Sequence, residues 1–323
     1  VQHGWQLAMR SKSIYGPYEW KVVMAQGQTD VNGPHQGAWV HTAGGEDWFL
    51  HFNDQYAYGR VVCLQPVTWK DNWPVMGRVP DKGYCGEPYT TYRKPKSAST
   101  VIVNPQESDE FDSGELGKQW QWHANYSQYF GMPTNTGCLR LYTHYLGHEA
   151  KSLWDAPNLL LQKLPAPEFT ATAKLRFASK EQGQYGGIVM MGMDYRALTV
   201  NRTGDGFALE LRSCRGADTG GAETVETLAR LEPTERDTIP YSPAVYIDIY
   251  MRMNVSGGMC QMAYSLDGKR FKAAGAPFKM RQGKWIGAKM GFVSETSQTS
   301  GNRGWIDADW FRVEKFKGEK VRE

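Results

Sequence analysis

Apolar and polar positions alternate along much of this chain with a period of two, and no stretch sustains the 3.6-residue period of a long helix. In Val245-Tyr246-Ile247-Asp248-Ile249-Tyr250-Met251-Arg252-Met253 the odd positions are all apolar and the even ones are Tyr, Asp, Tyr and Arg. Phe169-Thr170-Ala171-Thr172-Ala173-Lys174-Leu175-Arg176-Phe177 repeats the split. Such alternation predicts strands with one buried and one solvated face. Further strands are expected near Cys138 to Tyr142, Gly186 to Met193, Phe207 to Arg212, Gly258 to Ser265, Lys284 to Val293 and Trp305 to Glu314. Ser265-Leu266-Asp267-Gly268-Lys269 carries a hairpin signal, because Gly268 accepts positive φ without a Cβ clash. About a dozen short strands of this kind imply a β-sandwich.

The first eighty residues read differently. Residues 4 to 10 and 18 to 25 form two short strands around Ile14-Tyr15-Gly16-Pro17, which is half a propeller blade. Gly37 to Thr42, Asp47 to Phe52, Gly59 to Leu64 and Trp73 to Gly77 then supply a four-stranded antiparallel sheet of the kind that makes one blade. From Pro80 to about Pro105 alternation is lost and Pro, Lys, Tyr, Ser and Thr gather, as in a linker packed along a surface. The expected organisation is therefore all-β: propeller-type sheets over 1–79, a linker over 80–105, a sandwich over 106–316 and a tail over 317–323.

Length and composition agree with two domains: 323 residues exceed one typical domain, and 12 Trp, 17 Tyr and 35 Gly suit a turn-rich β protein. A formal charge of +3 from 37 basic and 34 acidic residues leaves no concentrated footprint for nucleic acid or an anionic membrane, so a neutral partner is expected. The cysteines (Cys63, Cys85, Cys138, Cys214, Cys260) are odd in number, widely spaced and without a CxxC pair; they read as small buried hydrophobes. No apolar run approaches a membrane span and no signal peptide is seen at Val1, so the chain reads as a mature or a truncated product. The sequons at Asn125, Asn201 and Asn254 matter only in a eukaryotic secretory pathway.

The candidate chemistry centres on Asn32-Gly33-Pro34-His35-Gln36-Gly37-Ala38-Trp39, followed in the next hairpin by Ala57-Tyr58-Gly59-Arg60. An imidazole, an amide, an indole and a guanidinium beside a Gly-Pro turn suit a polar ligand with an apolar face, such as a sugar. Taken alone, His35 reads as a satisfied core histidine, and Arg60 reads equally as a rim salt bridge. A desolvated Arg donates charge-assisted hydrogen bonds worth roughly 1.5–3 kcal/mol each to such a ligand. Trp5, Trp39 and Trp48 are expected in the core between sheets rather than on a sugar.

The order Gly4-Trp5-Gln6, Arg10 to Glu19, Asn32 to Trp39, Trp48-Phe49-Leu50-His51-Phe52, Ala57-Tyr58-Gly59-Arg60, Leu64-Gln65-Pro66 and Trp73-Pro74-Val75 resembles the fourth and fifth blades of the five-bladed propeller of glycoside hydrolase family 43. Phe111-Asp112-Ser113, Gln119 to Asn125, Gly137 to Leu141, Ser265 to Gly268 and Ala308-Asp309-Trp310-Phe311 resemble that family's C-terminal concanavalin-like sandwich, grouped with carbohydrate-binding modules of family 91. The departure is His123-Ala124, where many relatives carry Asn-His. The resemblance implies closing propeller blades followed by a jelly-roll sandwich, with His35, Gln36 and Arg60 on the substrate side.

It also implies hydrolysis of xylose or arabinose units from xylan or arabinoxylan-type oligosaccharides, with inversion and water as nucleophile. Hydrolysis needs carboxylates on both sides of the scissile bond. The family's three acids come from earlier blades, so they are expected N-terminal to Val1; Glu46, Asp47, Asp54, Asp71 and Glu87 sit in turns and match none of them. The alternative is a carbohydrate-binding protein without catalysis, and a third is a purely structural role. A structural Ca²⁺ is expected between Glu110, or Asp109, and Asp309, which offer hard oxygen ligands. The polar stretch Glu295 to Arg303 is a candidate loop over the sugar pocket. An open set of blades leaves sheet edges unpaired, so self-association is expected. A secreted or periplasmic location fits the implied substrate.

Overall fold

The computed structural model describes residues 4–96, 99, 101–237 and 243–317. Two compact units divide between Val103 and Asn104. Residues 1–3, the far end of the expected tail, and positions 238–242 lie outside the described residues.

In the first unit, β1 (Gln6–Arg10) and β2 (Glu19–Met24) pair as an antiparallel hairpin. A four-stranded antiparallel sheet follows, built from β3 (Ala38–His41), β4 (Asp47–Asp54), β5 (Arg60–Lys70) and β6 (Trp73–Met76) in that order. The strands come where alternation predicts them. The turn between β5 and β6 is Asp71-Asn72, both at positive φ, a conformation that short polar side chains tolerate better than any other non-glycine residue. Val23, Met24, Phe49 and Met76 form the small core of this unit.

The stretch read as a linker is laid against that unit as far as Lys96. Gly86 bridges Met24, Glu87 bridges Arg78, and buried Gln65 holds both backbone groups of Tyr89 at 3.0 and 2.7 Å. Arg93 pairs with Glu46 at 2.6 Å, and the Lys96 amide donates to the same carboxylate at 2.9 Å.

The tryptophans correct the expectation of three core indoles. Trp48 is buried, but Trp39 and Trp5 are half exposed. A propeller buries its indoles between neighbouring sheets, and no described sheet covers these two.

In the second unit the strands in chain order are β7 (Gln121–Trp122), β8 (Gly131–Pro133), β9 (Leu139–Tyr142), β10 (His144–Tyr145), β11 (Leu160–Lys163) and β12 (Phe169–Ser179). Then come β13 (Gln184–Met191), β14 (Tyr195–Thr203), β15 (Gly206–Cys214), β16 (Glu223–Leu231), β17 (Glu235–Arg236) and β18 (Val245–Ser256). β19 (Met259–Ser265), β20 (Lys272–Ala273), β21 (Phe278–Lys279), β22 (Lys289–Thr296) and β23 (Trp305–Glu314) complete it. One sheet runs β16-β15-β14-β13-β22-β11-β7 with β10 added on β22; the other runs β20-β19-β18-β12-β23-β9-β8 with β17 and β21 at its side. Helical structure among the described residues is confined to three-residue 3-10 turns.

The two sheets close on an aromatic core in which Trp120 meets Phe292 at 5.4 Å and Phe311 at 5.3 Å between ring centres. β18 shows the clean alternation its sequence promises. β13 does not: both its faces are buried, because the segment from Leu153 to Leu159 lies over the outer face of its sheet. Leu153 and Leu159, with Leu161 of β11, cluster there with Val189, Met191 and Ala197. All five cysteines are free; Cys214 and Cys260 are buried as expected, whereas Cys85 is exposed. No helix among the described residues is long and apolar enough to cross a membrane.

Candidate functional site

The loop Asn32–Gln36 is fixed to the end of β4 before it presents anything. The Asn32 side chain accepts from the Asp54 amide at 2.9 Å and donates to the Asp54 carbonyl at 2.8 Å, and its backbone N–H donates to the Asn53 side-chain oxygen at 3.2 Å. One side chain thus imitates a neighbouring strand. Next to it the His35 Nδ1–H donates to the Gly33 carbonyl. A carbonyl only accepts, so this bond selects the tautomer in which Nε2 carries the ring's lone pair. Gly4 lies so close to the imidazole that a Cβ there would stand 2.2 Å from Nδ1.

Phe52, on β4, joins the two candidate residues that sequence places far apart. Its ring meets the His35 imidazole edge-on at 5.2 Å and lies 4.4 Å under the Arg60 guanidinium. Register explains the meeting: Asp54 pairs with Arg60 and Phe52 with Val62 across the hairpin, which brings the first residue of β5 back over β4. Gln36 is exposed and sits at φ 52°, in the left-handed region that a residue other than glycine rarely adopts. His35, Gln36 and Arg60 therefore lie around one loop–hairpin corner with Phe52 as its apolar element. Sequence reading missed Phe52; the only signal was an aromatic at the end of a strand that otherwise reads as core.

This corner offers an acceptor, an amide and a cation, and its chemistry is that of holding hydroxyl groups. Four acids of the unit, Glu46, Asp47, Asp71 and Glu87, have other partners. Glu46 is held by the Lys96 amide and Arg93, which keep its carboxyl below the usual range. Asp47 accepts from His41, Trp39 and Trp69, His41 first among the causes that lower it. Asp71 accepts from Tyr84, and Glu87 pairs with Arg78. His51, buried beneath the sheet, is pushed toward its neutral form by burial.

The residues expected to hold calcium have other partners here. Glu110 is clamped by Arg312 through two bonds of 2.8 Å, and Asp309 takes the Lys174 ammonium at 2.5 Å. Asp109 spends its oxygens on N–H donors, the Phe111 amide at 3.0 Å and the Trp120 indole at 2.9 Å. A carboxylate ringed by donors and cations is already neutralised and has no call for a metal. Among the described residues no group of three or more His, Cys, Asp or Glu is placed to hold a metal ion.

The proposed lid stretch begins inside β22: Glu295 is buried in that strand, and only the following residues form a loop. His123, at the departure from the family pattern, is half-buried with its Nε2–H donating to the Trp154 carbonyl at 3.2 Å.

The fold is all-β, with propeller-type sheets followed in the chain by a concanavalin-like sandwich. Residues 108–314 match the beta xylosidase C-terminal concanavalin A-like domain, and the chain belongs to that family; residues 2–74 match glycosyl hydrolases family 43. A beta-xylosidase of Formosa agariphila is 32% identical over 98% of this chain and 54% of its own length. A non-reducing end alpha-L-arabinofuranosidase of Bacteroides ovatus is 28% identical over 63% of this chain and 40% of its own. The crystal structure of a xylan beta-1,4-xylosidase from Bacillus halodurans superposes with a TM-score of 0.76, 19% identity, and coverage of 95% of this chain and 59% of that one. This chain spans about half the length of the first two curated relatives it matches.

Proposed function

We propose that this chain is part of a glycosidase that removes xylose or arabinose units from hemicellulose-type oligosaccharides, with His35, Gln36 and Arg60 forming one wall of its sugar site. The observation that carries the reading is the Phe52 ring bracketed by His35 and Arg60. A sugar has an apolar ring face and a polar rim, and this corner offers one group for the first and three for the second. The relatives named beta-xylosidase and arabinofuranosidase support the choice of sugars. The sandwich matched by the concanavalin-like family favours a second reading, a carbohydrate-binding protein without turnover.

The test is release of p-nitrophenol from β-xyloside and α-arabinofuranoside by the purified chain and its Arg60→Ala variant. Turnover that falls at least tenfold in the variant supports hydrolysis by this polypeptide or by its assemblies. Saturable binding of xylo-oligosaccharides without turnover supports the second reading, and neither result overturns both. Association through the open sheet edges is part of the proposal, and sedimentation across a concentration series measures it.

A further inference from the structure

Lys289 opens β22 and is only 8% exposed. Phe292, an odd number of positions further on, points into the aromatic core between the sheets, so Lys289 lies on the opposite face with Val293 of the outer apolar cluster. Register fixes what surrounds it. Lys163 of β11 stands directly across the ladder on one side and Met191 of β13 on the other. Leu161, the next residue of β11 on this face, pairs with Gln121 of β7, and the Gln121 side-chain oxygen accepts from the Lys289 Nζ at 3.4 Å, long for a hydrogen bond.

No carboxylate among the described residues offsets this charge. The influences on the ammonium are burial first and the Lys163 cation second, and both push it toward the neutral amine. Like charges directly across a ladder repel, and a charge taken from water without a counter-ion is costlier still. A register that sets lysine opposite lysine, one of them buried, disfavours the ammonium and favours a free lone pair on Nζ. An amine held neutral by burial beside a second cation is the arrangement that makes lysine a nucleophile.

Burial also selects the electrophile. A side chain covered over nine-tenths of its surface admits only a small, uncharged reagent, and what its surroundings lack is an anion. Carbon dioxide is small and neutral, and its adduct with an amine is itself anionic.

We propose that Lys289 is a modification site for carbon dioxide, held as a carbamate on Nζ and paired across the ladder with Lys163. The ammonium gives one proton to water. The amine lone pair then adds to the carbon of carbon dioxide while a C=O electron pair moves onto oxygen, and a second proton leaves Nζ; ammonium and carbon dioxide thus become a carbamate and two protons, with no oxidant or further reactant. The side chain changes from positive to negative, so repulsion between β11 and β22 becomes attraction. The Gln121 amide, turned end for end, donates an N–H to a carbamate oxygen. The site is independent of the hydrolytic reading, because none of its residues belongs to the propeller-type unit.

The experiment equilibrates the purified 323-residue chain with isotope-labelled bicarbonate and its carbon dioxide at neutral pH, ethylates any carbamate with triethyloxonium ion, and locates the label by tryptic mass spectrometry. A trapped Lys289 resists trypsin, so the label falls in a fragment running from Trp285 to Arg303. The expected occupancy at Lys289 is roughly tenfold or more above that at the exposed Lys82 and Lys269. It falls by roughly threefold or more in Lys163→Gln, a change at an exposed position, and Lys289→Arg carries no label there. Bicarbonate should also raise the melting temperature of the parent above its value in chloride of equal ionic strength, and leave that of Lys289→Arg unchanged. Label at Lys289 no higher than at the exposed lysines overturns the proposal, as does label undiminished in a Lys163→Gln variant with the parent circular dichroism spectrum. Equal stabilisation by bicarbonate and inorganic phosphate without a trapped adduct overturns it too, in favour of a bound anion.

Discussion

The two units treat their aromatic and charged residues in opposite ways. In the propeller-type unit large apolar side chains face outward: Trp5, Trp20, Trp39, Trp69 and Val62 are all exposed. In the sandwich even charged side chains go inward, with Glu210, Arg212 and Glu295 buried. Strand pattern alone does not predict this, since both units alternate. A strand's apolar face is buried only when another layer covers it, and its polar face is solvated only when none does. The sandwich supplies a cover for both faces of one sheet; the described part of the first unit lacks one for either indole-bearing face.

That contrast is easiest to break at Arg212. Removal of its side chain in Arg212→Ala leaves buried Glu210 and half-buried Glu223 without their cation, at a cost of about 3–5 kcal/mol. Chemical denaturation of the sandwich measures it. Arg270→Ala, which removes an exposed ion pair with Asp267 in the same unit, is expected to cost below about 1 kcal/mol by the same measurement. Equal losses at the two positions would mean that the inner network carries no special weight.

In the first unit the largest effect is steric. A Cβ on Gly37 would stand 2.2 Å from the Leu50 carbonyl and 2.3 Å from the Phe49 ring, so Gly37→Ala forces β3 away from β4 and loses about 1–3 kcal/mol. An unchanged melting temperature would show that β3 is held too loosely for the contact to matter.

Much of this architecture is legible in the sequence, and the parts that are not have physical reasons. The strands β12, β18 and β23 are visible because they combine strict alternation with long runs. β16, Glu223–Leu231, escapes notice because it is an edge strand whose mixed exposure leaves no apolar stripe. β22 begins five residues later than expected, since Lys284 to Ala288 contain an exposed Trp285 that reads as strand yet faces solvent. Of the candidate corner, His35 and Arg60 are readable from their motif. Phe52 and the Asn32 clamp are not, because both depend on hairpin register. The buried cluster left one trace, Glu210 and Arg212 at alternate positions of Leu209-Glu210-Leu211-Arg212, where paired charge occupies the face opposite the apolar core.

A smaller effect separates the exposed aromatics from the rest of the first unit. Asp47 gathers the indole N–H groups of Trp39 and Trp69 at 3.0 Å each and the His41 ring at 2.8 Å, fixing the two indoles 5.3 Å apart. Asp47→Asn weakens these bonds by about 1 kcal/mol in total, because the partners are largely solvated. The His41 bond and the indole donors depress the carboxyl. That stabilisation is present above its ordinary value of 3.8 and fades as pH falls through the lowered one. Tryptophan emission followed during acid titration should therefore change at lower pH than a free aspartate titrates, and the change should vanish in the variant.

The smallest shift is the one with the most informative sign. Glu295 is kept neutral by burial, so its folded-state proton affinity exceeds that of the unfolded chain, whose value lies near 4.5. Below that pH both states hold the proton and the residue is without effect on the pH slope. As pH rises above it, the unfolded chain releases a proton that the folded chain retains, and stability declines until the folded carboxyl also ionises. Glu295→Gln removes this proton linkage while keeping a neutral side chain of the same shape beside Asn158. The variant should melt close to the parent at pH 4 and a few degrees above it at pH 8. A parent that gains stability relative to the variant over the same interval would mean that Glu295 is ionised in the fold, supported by Arg303 and Arg212.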